Sequence, residues 1–281
     1  MVSEQQTAQV LVDALSYMQK FSGHIMVVKY GGSAMENEEI KKSVLQDIAV
    51  LKSVGIKVVI VHGGGKEINR WLDKAKIKSQ FKNGLRVTDE DTLEVVQMVL
   101  CGKVNKDLVG YLGEHQVKAV GLSGKDGQMI KVEQNTDYGY VGTIKEIDPT
   151  LINSLLELGY TPVISSIGVD DAGQGYNVNA DDVATEVARS LNASKLVFLT
   201  DQKGVLSNVN NPNSLIHHIN ETMANNLIEQ GVIEGGMAVK IKNCIAALDK
   251  IEKIHILDGR EPHSMIIEIF TAQGIGTEIS K

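Results

Sequence analysis

Glycine-bearing turns follow three apolar runs of this chain, and they are the feature that most constrains its fold. The turns lie at residues 29–33, 62–66 and 201–205. Glycine lets a strand turn sharply, with no Cβ in the way, so that several N–H groups can converge on an anion. Turns of this kind at the ends of parallel strands meet in a crevice at the carboxyl edge of the sheet. The sequence therefore predicts a site for a phosphorylated ligand.

Apolar segments of strand length alternate with amphipathic segments of helical length. The predicted strands are 25–30, 57–62, 118–122, 128–132, 142–146, 161–167, 195–200, 253–258 and 264–270. The predicted helices are 7–21, 36–54, 66–74, 88–114, 149–158, 180–191, 221–230 and 237–249, with Thr88 as the N-cap of the fourth and a turn region at 168–176. This alternation is typical of an α/β fold, in which a largely parallel sheet carries helices on both faces.

Neither an internal repeat nor a linker rich in proline and serine interrupts the 281 residues. We therefore expect a single domain, residues 1–281, built on one continuous sheet with two lobes that divide near residue 190. Only 4% of the residues are aromatic, so the core should consist of Val, Ile, Leu and Ala side chains.

Composition argues against several classes of function. The net charge of −7 disfavours nonspecific binding of nucleic acid, which needs a basic surface. Cys101 and Cys244 lack the spacing of a zinc site, and each is expected to be a small buried residue or a free thiol in a reducing cytosol. Residues 1–24 do not resemble a signal peptide, and no apolar run approaches the roughly 18 residues of a membrane span. We therefore expect a soluble, cytoplasmic protein with neither a nucleic acid nor a membrane as partner.

Known phosphate-binding motifs do not account for the glycine turns. The sequence has no G-x-G-x-x-G after its first strand and no G-x-x-x-x-G-K-[ST]. The predicted site must therefore combine glycine turns with nearby lysines. Lys29 lies near the end of the first predicted strand, one residue before two glycines, a position where a buried ammonium group needs an anion. Arg86 precedes a predicted helix and has a planar guanidinium that can bind a carboxylate through two hydrogen bonds.

Two further segments carry candidate residues at helix starts. Asn179 can cap the helix that begins near residue 180, with Asp181 in its first turn. Plain helix capping would explain this motif, and the functional alternative is that Asn177 contacts a substrate while Asp181 faces the cleft. Lys240 lies in a predicted helix that opens with two glycines, which makes another group of N–H donors for an anion.

Six motifs, taken in chain order, together resemble those of the amino acid kinase family; they lie at 29–32, 62–65, 83–88, 177–181, 200–205 and 235–240. The resemblance extends from about residue 7 to residue 279. The sequences Gly-Leu-Arg-Val-Thr-Asp and Asn-Val-Asn-Ala-Asp are most similar to those of the members that phosphorylate N-acetyl-L-glutamate.

The resemblance implies a reaction and a fold. ATP would transfer its γ-phosphoryl group, with Mg²⁺ carried by the nucleotide, to the γ-carboxylate of N-acetyl-L-glutamate, the second step of arginine biosynthesis. The fold would be a three-layer αβα sandwich around a mostly parallel sheet. Residues 1–190, with helix 7–21, would form the lobe for the acyl amino acid, and residues 191–281 the nucleotide lobe.

The resemblance also implies site residues. The catalytic groups would be Lys29, Lys240 and Asp181, the last of which would orient the two lysines. The residues that would hold the acyl amino acid are Gly64, Gly65, Arg86 and Asn177. The residues that would frame the nucleotide are Gly31, Gly32, Asp201, Gly204, Val205, Leu206, Val232, Ile233 and Glu234, and no residue is assigned to a resident metal.

Both ends of the chain resemble the subgroup of the family that arginine inhibits. The implied effector residues are Tyr17, Lys195, His263, Glu268 and Gly276, and the N-terminal helix would link subunits into a dimer or a hexamer. The alternative is an ordinary surface helix and an ordinary core strand.

Two rival functions remain open at the level of sequence. One is a kinase for another carboxylate, such as glutamate or aspartate, because pocket shape decides the acetyl specificity. The other is a noncatalytic arginine sensor with the same fold, against which the presence of both Lys29 and Lys240 argues.

Overall fold

The strands of the computed structural model, which describes residues 3–35, 37–82, 84–211, 213–271 and 273–281, fall close to most of the predicted ones. The strands are β1 (Ile25–Tyr30), β2 (Lys57–His62), β3 (Gln80–Lys82), β4 (Leu85–Val87), β5 (Ala119–Ser123), β6 (Ile130–Gln134), β7 (Gly142–Ile147), β8 (Thr161–Ser165), β9 (Ile167–Val169), β10 (Gly175–Asn177), β11 (Lys195–Thr200), β12 (Val205–Leu206), β13 (Leu215–Ile216), β14 (His218–Ile219), β15 (Lys253–Asp258) and β16 (Thr277–Ser280).

Helices fill most of the connections. They are α1 (Glu4–Gln19), α2 (Glu38–Ser53), α3 (Gly65–Ala75), α4 (Glu90–Gln97), α5 (Asn105–Glu114), α6 (Thr150–Glu157), α7 (Ala180–Ser190), α8 (Glu221–Glu229), α9 (Gly235–Ala247) and α10 (Ser264–Phe270), with a π-helix (Met98–Val104) between α4 and α5. None of the helices in the described ranges is both long and apolar enough to cross a membrane.

One eight-stranded sheet runs through the molecule in the order β14-β16-β15-β11-β1-β2-β8-β5. Every neighbouring pair from β15 to β5 is parallel, and only the β15–β16 pair is antiparallel. The predicted continuous, mostly parallel sheet is therefore confirmed. A smaller sheet with the order β10-β9-β6-β7 and the hairpins β3–β4 and β12–β13 lie outside it.

Apolar side chains cover both faces of the large sheet. Val27 of β1 belongs to one buried cluster, with side chains of α6, α7, α8 and α9. Met26 and Val28 point the other way, into a second cluster with side chains of α2, α3, α5 and α10. Successive strand residues alternate between faces, so each face receives its own helical layer. The αβα sandwich is confirmed.

The predicted strand 264–270 is wrong, because these residues form the helix α10. A short apolar run does not by itself distinguish a strand from a buried helix. The buried side chains of α10 are Ser264, Met265, Glu268 and Ile269, which is helical spacing. The strand that pairs with β15 in this region is instead β16, which the sequence analysis missed.

Four other predictions need correction. The long helix 88–114 is interrupted by the π-helix, and its N-cap is Asp89, whose carboxylate accepts the N–H of Thr92 at 2.9 Å. Thr88 instead donates its hydroxyl to the carbonyl of Arg86 at 3.1 Å. The predicted strand 161–167 divides into β8 and β9, which belong to different sheets, and the predicted turn region 168–176 contains the start of β10.

Candidate active site

A cavity of about 310 Å³ opens at the carboxyl ends of β1 and β2, and we refer to it as the cleft. Its walls come from the two glycine turns after these strands, the hairpin β3–β4, the π-helix and the start of α7. The predicted site residues that line it are Lys29, Gly31, Gly32, Gly64, Gly65, Arg86, Asn177 and Asp181. The third glycine turn follows β11, next to β1 at the same sheet edge, but does not line the cleft.

Asp181 lies between the two predicted lysines. Its Oδ1 is 3.0 Å from Lys29 Nζ, and its Oδ2 accepts a hydrogen bond from Lys240 Nζ. The three side chains are 16–32% exposed. Burial by itself would raise the pKa of Asp181, but the charges of Lys29 and Lys240 outweigh it and hold this pKa below its usual value. At neutral pH the carboxylate is therefore ionised and engaged with both cations.

Local sequence explains why these groups meet. Asn179 caps α7 by accepting the N–H of Asp181 at 2.8 Å, as predicted, and this places the carboxylate in the first turn. A negative charge is stabilised there by the helix dipole. Lys240 extends from α9, and its ammonium lies 4.7 Å from the centre of the Phe198 ring on β11. A residue of the strand next to β1 thus also helps to hold Lys240.

Glycine leaves room where the turns approach other side chains closely. A Cβ at position 31 would lie 3.2 Å from Lys29 Nζ. A Cβ at position 64 would lie 2.8 Å from Leu100 Cδ2 of the π-helix, which is closer than carbon atoms approach without displacement. Gly64 is the N-cap of α3 and Gly65 its first residue. The first N–H groups of a helix have no acceptor within it, so these turns present donors at the cleft.

Arg86 is 7% exposed and lines the cleft from β4. Its guanidinium donates to Asn69 Oδ1 at 2.7 Å, to the carbonyl of Gly65 at 3.3 Å, and to the hydroxyl of Ser79. All of these acceptors are neutral, and the ring of Phe81 lies 4.6 Å from the guanidinium carbon. The positive charge is therefore not compensated by an ion pair within the described part of the chain.

Asn177 completes the polar wall of the cleft at the end of β10. Its Nδ2 donates to Thr88 Oγ1 at 3.3 Å, which ties the small sheet to the segment that follows Arg86. The cleft also has an apolar wall, which the sequence analysis did not assign to the site. It includes Ile68, Phe81, Leu85, Leu100 and Val141. Apart from Leu85, which belongs to the motif at 83–88, these residues carry no shared local pattern.

The predicted nucleotide residues outside the glycine turn of β1 do not line the cleft. Gly204 and Val205 pack against β16, where the N–H of Val205 donates to Thr277 Oγ1 at 2.8 Å. The carbonyl of Asp201 accepts from Arg260 at 2.8 Å, and Leu206 belongs to β12. Val232, Ile233 and Glu234 lead directly into α9, with Glu234 as its N-cap.

A second cavity of about 350 Å³ contains Lys195 and Glu268 from the predicted effector set. The carboxylate of Glu268 accepts the N–H of Gly276 at 2.9 Å. His255, which the sequence analysis missed, lies between the two, 3.1 Å from Lys195 Nζ and 2.8 Å from Glu268 Oε1. Burial lowers the pKa of Lys195 to about 8.

One predicted effector residue is not part of this arrangement. His263 does not line the second cavity, and its Nδ1 lies 2.6 Å from Asp47 Oδ1 of α2. The side chain of Tyr17 lies outside the described part of the structure.

His62, at the end of β2, is fully buried beneath the glycine turn, and burial lowers its pKa to about 4. The folded protein thus binds fewer protons than the unfolded chain between about pH 4 and 6.5, so this residue makes stability fall as the pH decreases through that window. The contribution is about 2 kcal/mol between pH 7 and pH 5. Urea unfolding at these two pH values should show that His62→Gln loses less free energy of unfolding between pH 7 and pH 5 than the wild type or exposed His217→Gln does. Equal losses in the three proteins would contradict the role of His62.

A model of the amino acid kinase family matches residues 24–258. The chain belongs to the amino acid kinase family. This amino acid kinase is 48% identical over 280 residues to the acetylglutamate kinase of Thermosynechococcus vestitus, covering 99% of this chain and 95% of that protein. It is 50% identical over 278 residues to the acetylglutamate kinase of Caldanaerobacter subterraneus subsp. tengcongensis, covering 98% and 93%.

Solved structures place this amino acid kinase in the same fold group. The N-acetylglutamate synthase of Neisseria gonorrhoeae, complexed with coenzyme A and N-acetyl-glutamate, superposes with a TM-score of 0.85 at 27% identity. The superposition covers 98% of this chain but only 63% of the synthase. The carbamate kinase of Giardia lamblia bound to AMP-PNP has a TM-score of 0.65 at 16% identity, covering 92% of this chain and 99% of that chain, and at that identity only the fold is shared.

Proposed function

We propose that the chain transfers the γ-phosphoryl group of ATP to the γ-carboxylate of N-acetyl-L-glutamate, giving ADP and N-acetyl-L-glutamyl 5-phosphate. This is the second step of arginine biosynthesis, and because ATP is a substrate we place it in the cytoplasm. The observation that carries the proposal is the Lys29–Asp181–Lys240 arrangement beside a cleft that also holds Arg86. The names and 48–50% identity of the acetylglutamate kinases support the substrate.

The chemistry needs charge neutralisation and positioning more than it needs a general base. A carboxylate is already ionised at neutral pH and can act as the nucleophile directly. The obstacle is its approach to a polyanion, and phosphoryl transfer is accelerated mainly by oriented positive charges and N–H donors. Lys29 and Lys240 supply the charges from two sides, and Asp181 reduces the repulsion between the two ammonium groups and fixes their positions. The glycine turns supply the donors.

The acyl amino acid occupies the cleft in this proposal. Arg86 binds a carboxylate of the substrate, Asn177 and the N–H groups of Gly64 and Gly65 bind its polar atoms, and the apolar wall surrounds the acetyl group. The nucleotide lies towards α9, framed by residues 201–206 and 232–234. The first lobe, about residues 1–190, thus holds the acceptor and the second, about 191–281, holds ATP.

Mg²⁺ enters this scheme with ATP. Within the described ranges no group of three His, Cys, Asp or Glu residues could hold a metal ion, and both oxygens of Asp181 are engaged by lysines. Magnesium bound to the nucleotide phosphates would offset part of their charge.

Turnover with a panel of acceptors tests the proposed function. ADP release would be measured with ATP and Mg²⁺ in the presence of N-acetylglutamate, glutamate, aspartate or carbamate. Turnover confined to N-acetylglutamate is expected. Turnover with another acceptor instead would refute the assignment of Arg86 and Asn177, and no turnover with any acceptor would favour a noncatalytic arginine sensor.

We further propose that arginine inhibits the enzyme by binding the second cavity. Lys195, Glu268 and the buried His255 provide fixed charged and polar groups there, and Glu252 and Glu278 add negative charge for a guanidinium. A related structure, the Neisseria gonorrhoeae synthase at 25% identity and a TM-score of 0.82, was solved with coenzyme A and L-arginine. It covers 98% of this chain and 65% of that chain.

Millimolar L-arginine is expected to lower the velocity or the affinity for substrate. Glu268→Gln should raise the arginine concentration needed for half-inhibition by about tenfold, since one charge-assisted contact is weakened. Glu261→Gln, an exposed carboxylate near the start of α10, should leave inhibition unchanged. Velocity and affinity that do not respond to arginine at all would refute the effector site.

We also propose that the chain assembles into a homo-oligomer, a dimer or a hexamer in which the N-terminal helices link subunits. Val12 and Leu15 of α1 are 59% and 55% exposed, and α1 lies beside α10. Exposed apolar side chains on a terminal helix fit a helix-to-helix contact between copies. Removal of residues 1–20 would reduce a hexamer to dimers, measured by light scattering.

A further inference from the structure

The side chains of His62 and Asn105 lie beneath the glycine turn that follows β2. His62 is the last residue of β2 and Asn105 the first residue of α5, and both are buried. His62 Nε2 is 3.0 Å from Asn105 Nδ2, and His62 Nδ1 is 3.0 Å from the carbonyl oxygen of Gly63. Neither side chain lines the cleft, so neither contacts the substrate in the proposed reaction.

The surroundings of Asn105 determine the orientation of its amide. Nδ2 donates to the carbonyl of Val163 at 2.8 Å and lies 3.4 Å from that of Leu122, farther than from His62 Nε2, while Oδ1 accepts from Lys106 Nζ at 3.1 Å. An ammonium only donates and a backbone carbonyl only accepts, so the NH₂ group of Asn105 must also face His62. His62 Nε2 is then the acceptor, and the single proton of the neutral ring is on Nδ1. Asn105 thereby selects one tautomer of His62.

That tautomer determines which way the next peptide points. The proton on His62 Nδ1 is donated to the Gly63 carbonyl and holds it towards the interior. The Gly63–Gly64 peptide is trans, and in a planar trans peptide the C=O and N–H bonds point in opposite directions. The N–H of Gly64 is therefore directed away from His62, and Gly64 lines the cleft together with Lys29.

The π-helix holds the same turn from its other side. Leu100 and Val104 of the π-helix pack against Gly64, where a Cβ would lie 2.8 Å and 3.3 Å from their methyl groups. Asn105 directly follows this π-helix. The continuous segment of the π-helix and Asn105 thus packs against the Cα of Gly64 and, through His62, fixes the carbonyl of Gly63. π-Helical turns occur often at functional sites, and here the turn places both contacts on the Gly63–Gly64 peptide.

We propose that Asn105 is a positioning residue for phosphoryl transfer. By fixing the tautomer of His62 it directs the N–H of Gly64 at the oxygen atoms of the transferring phosphoryl group or its acceptor. This inference rests on the proposed function. It adds a role for two buried residues that touch neither substrate.

NMR of the wild-type protein tests the structural half of the inference without a destabilising variant. Long-range ¹H–¹⁵N spectra of ¹⁵N-histidine-labelled protein should show His62 protonated at Nδ1 and unprotonated at Nε2. The His62 signals are assigned by their absence from the spectrum of His62→Gln. The amide signal of Gly64 should shift when N-acetylglutamate and AMP-PNP are added together. Protonation at Nε2, or an unchanged Gly64 signal, would overturn the proposal.

Kinetics test the functional half. Asn105→Ser keeps a small polar group in the interior but cannot reach the imidazole. It should lower kcat by roughly ten- to a hundredfold, since one oriented donor is misdirected, and leave KM for ATP within about twofold. The matched control is Ser165→Ala, which removes a buried hydroxyl that donates to the Leu122 carbonyl at 3.2 Å and, within the described residues, forms no hydrogen bond with the His62 side chain. It should leave kcat unchanged.

Each outcome separates the two proposals. Equal kcat values for Asn105→Ser and the wild type, or equal losses in Asn105→Ser and Ser165→Ala, would refute the positioning role while wild-type turnover still supports the kinase. A wild-type protein that does not turn over N-acetylglutamate would refute the proposed function whatever the tautomer of His62.

Discussion

Replacing Lys240 with methionine is expected to lower kcat by roughly 10²–10³-fold, the usual effect of removing one oriented electrostatic group from a transition state. The ammonium of Lys240 approaches Asp181 from α9, while Lys29 approaches the same carboxylate from β1. Methionine keeps an unbranched stem that can pack on Phe198, so the change removes charge with little loss of packing. KM for N-acetylglutamate should stay within about threefold, since Arg86 and Asn177 are untouched.

A matched control lies on the same helix. Lys242 is exposed, and Lys242→Met changes the net charge equally without approaching Asp181. Steady-state kinetics of both variants with ATP and N-acetylglutamate would distinguish a local electrostatic effect from a general one. Full kcat in Lys240→Met would remove Lys240 from the mechanism.

Arg86→Gln is expected to raise KM for N-acetylglutamate by about a hundredfold, which corresponds to about 2.7 kcal/mol, with a much smaller change in kcat. The guanidinium is buried at the cleft, and its three hydrogen bonds go to neutral oxygen atoms. A substrate carboxylate would supply the missing negative charge, in a site where hydrogen bonds between charged groups are strong. Glutamine can still bond to Asn69 or Ser79, so the hairpin should remain folded.

Arg70→Gln is the corresponding control, because Arg70 is half exposed on α3 and already paired with Glu67. Substrate saturation curves at fixed ATP, together with thermal melting, would be measured for both variants. If Arg86→Gln lowered kcat and left KM unchanged, Arg86 would act on the reacting group and not on the bound acyl amino acid.

The two predictions separate the two halves of the site. Lys240 comes from the segment assigned to the nucleotide, and its loss should appear in turnover. Arg86 comes from the segment assigned to the acceptor, and its loss should appear in affinity. Asp181 joins both, because the first turn of α7 lies between β1 and α9.

Much of this site was predictable from the sequence because its polar residues occupy strand ends and helix starts. Lys29 and the glycines after β1 and β2 are adjacent to long apolar runs, and Asn179 with Asp181 forms a helix start that the structure confirms. The apolar wall could not be predicted in this way, since Phe81, Leu100 and Val141 come from three elements that only the folded chain brings together.

The errors have physical causes as well. The run 264–270 is apolar enough for a strand, but burial of Ser264, Met265, Glu268 and Ile269 on one side makes it a helix. The side chain of Thr88 could cap a helix, yet Asp89 is the residue that caps α4. The hydroxyl of Thr88 is instead hydrogen-bonded to Arg86 and Asn177. In both cases long-range packing outweighed a local preference.

By itself the sequence determined the alternation of strands and helices, the parallel sheet and the positions of the glycine turns, because these depend on hydrophobic periodicity and on backbone freedom at single residues. Only the tertiary structure decided that Asp181 lies between Lys29 and Lys240 and that His255 separates Lys195 from Glu268. It also decided that Asn105 fixes the tautomer of His62. These contacts join residues far apart in the chain, and their geometry depends on strand order and on the π-helical turn, neither of which leaves a local pattern.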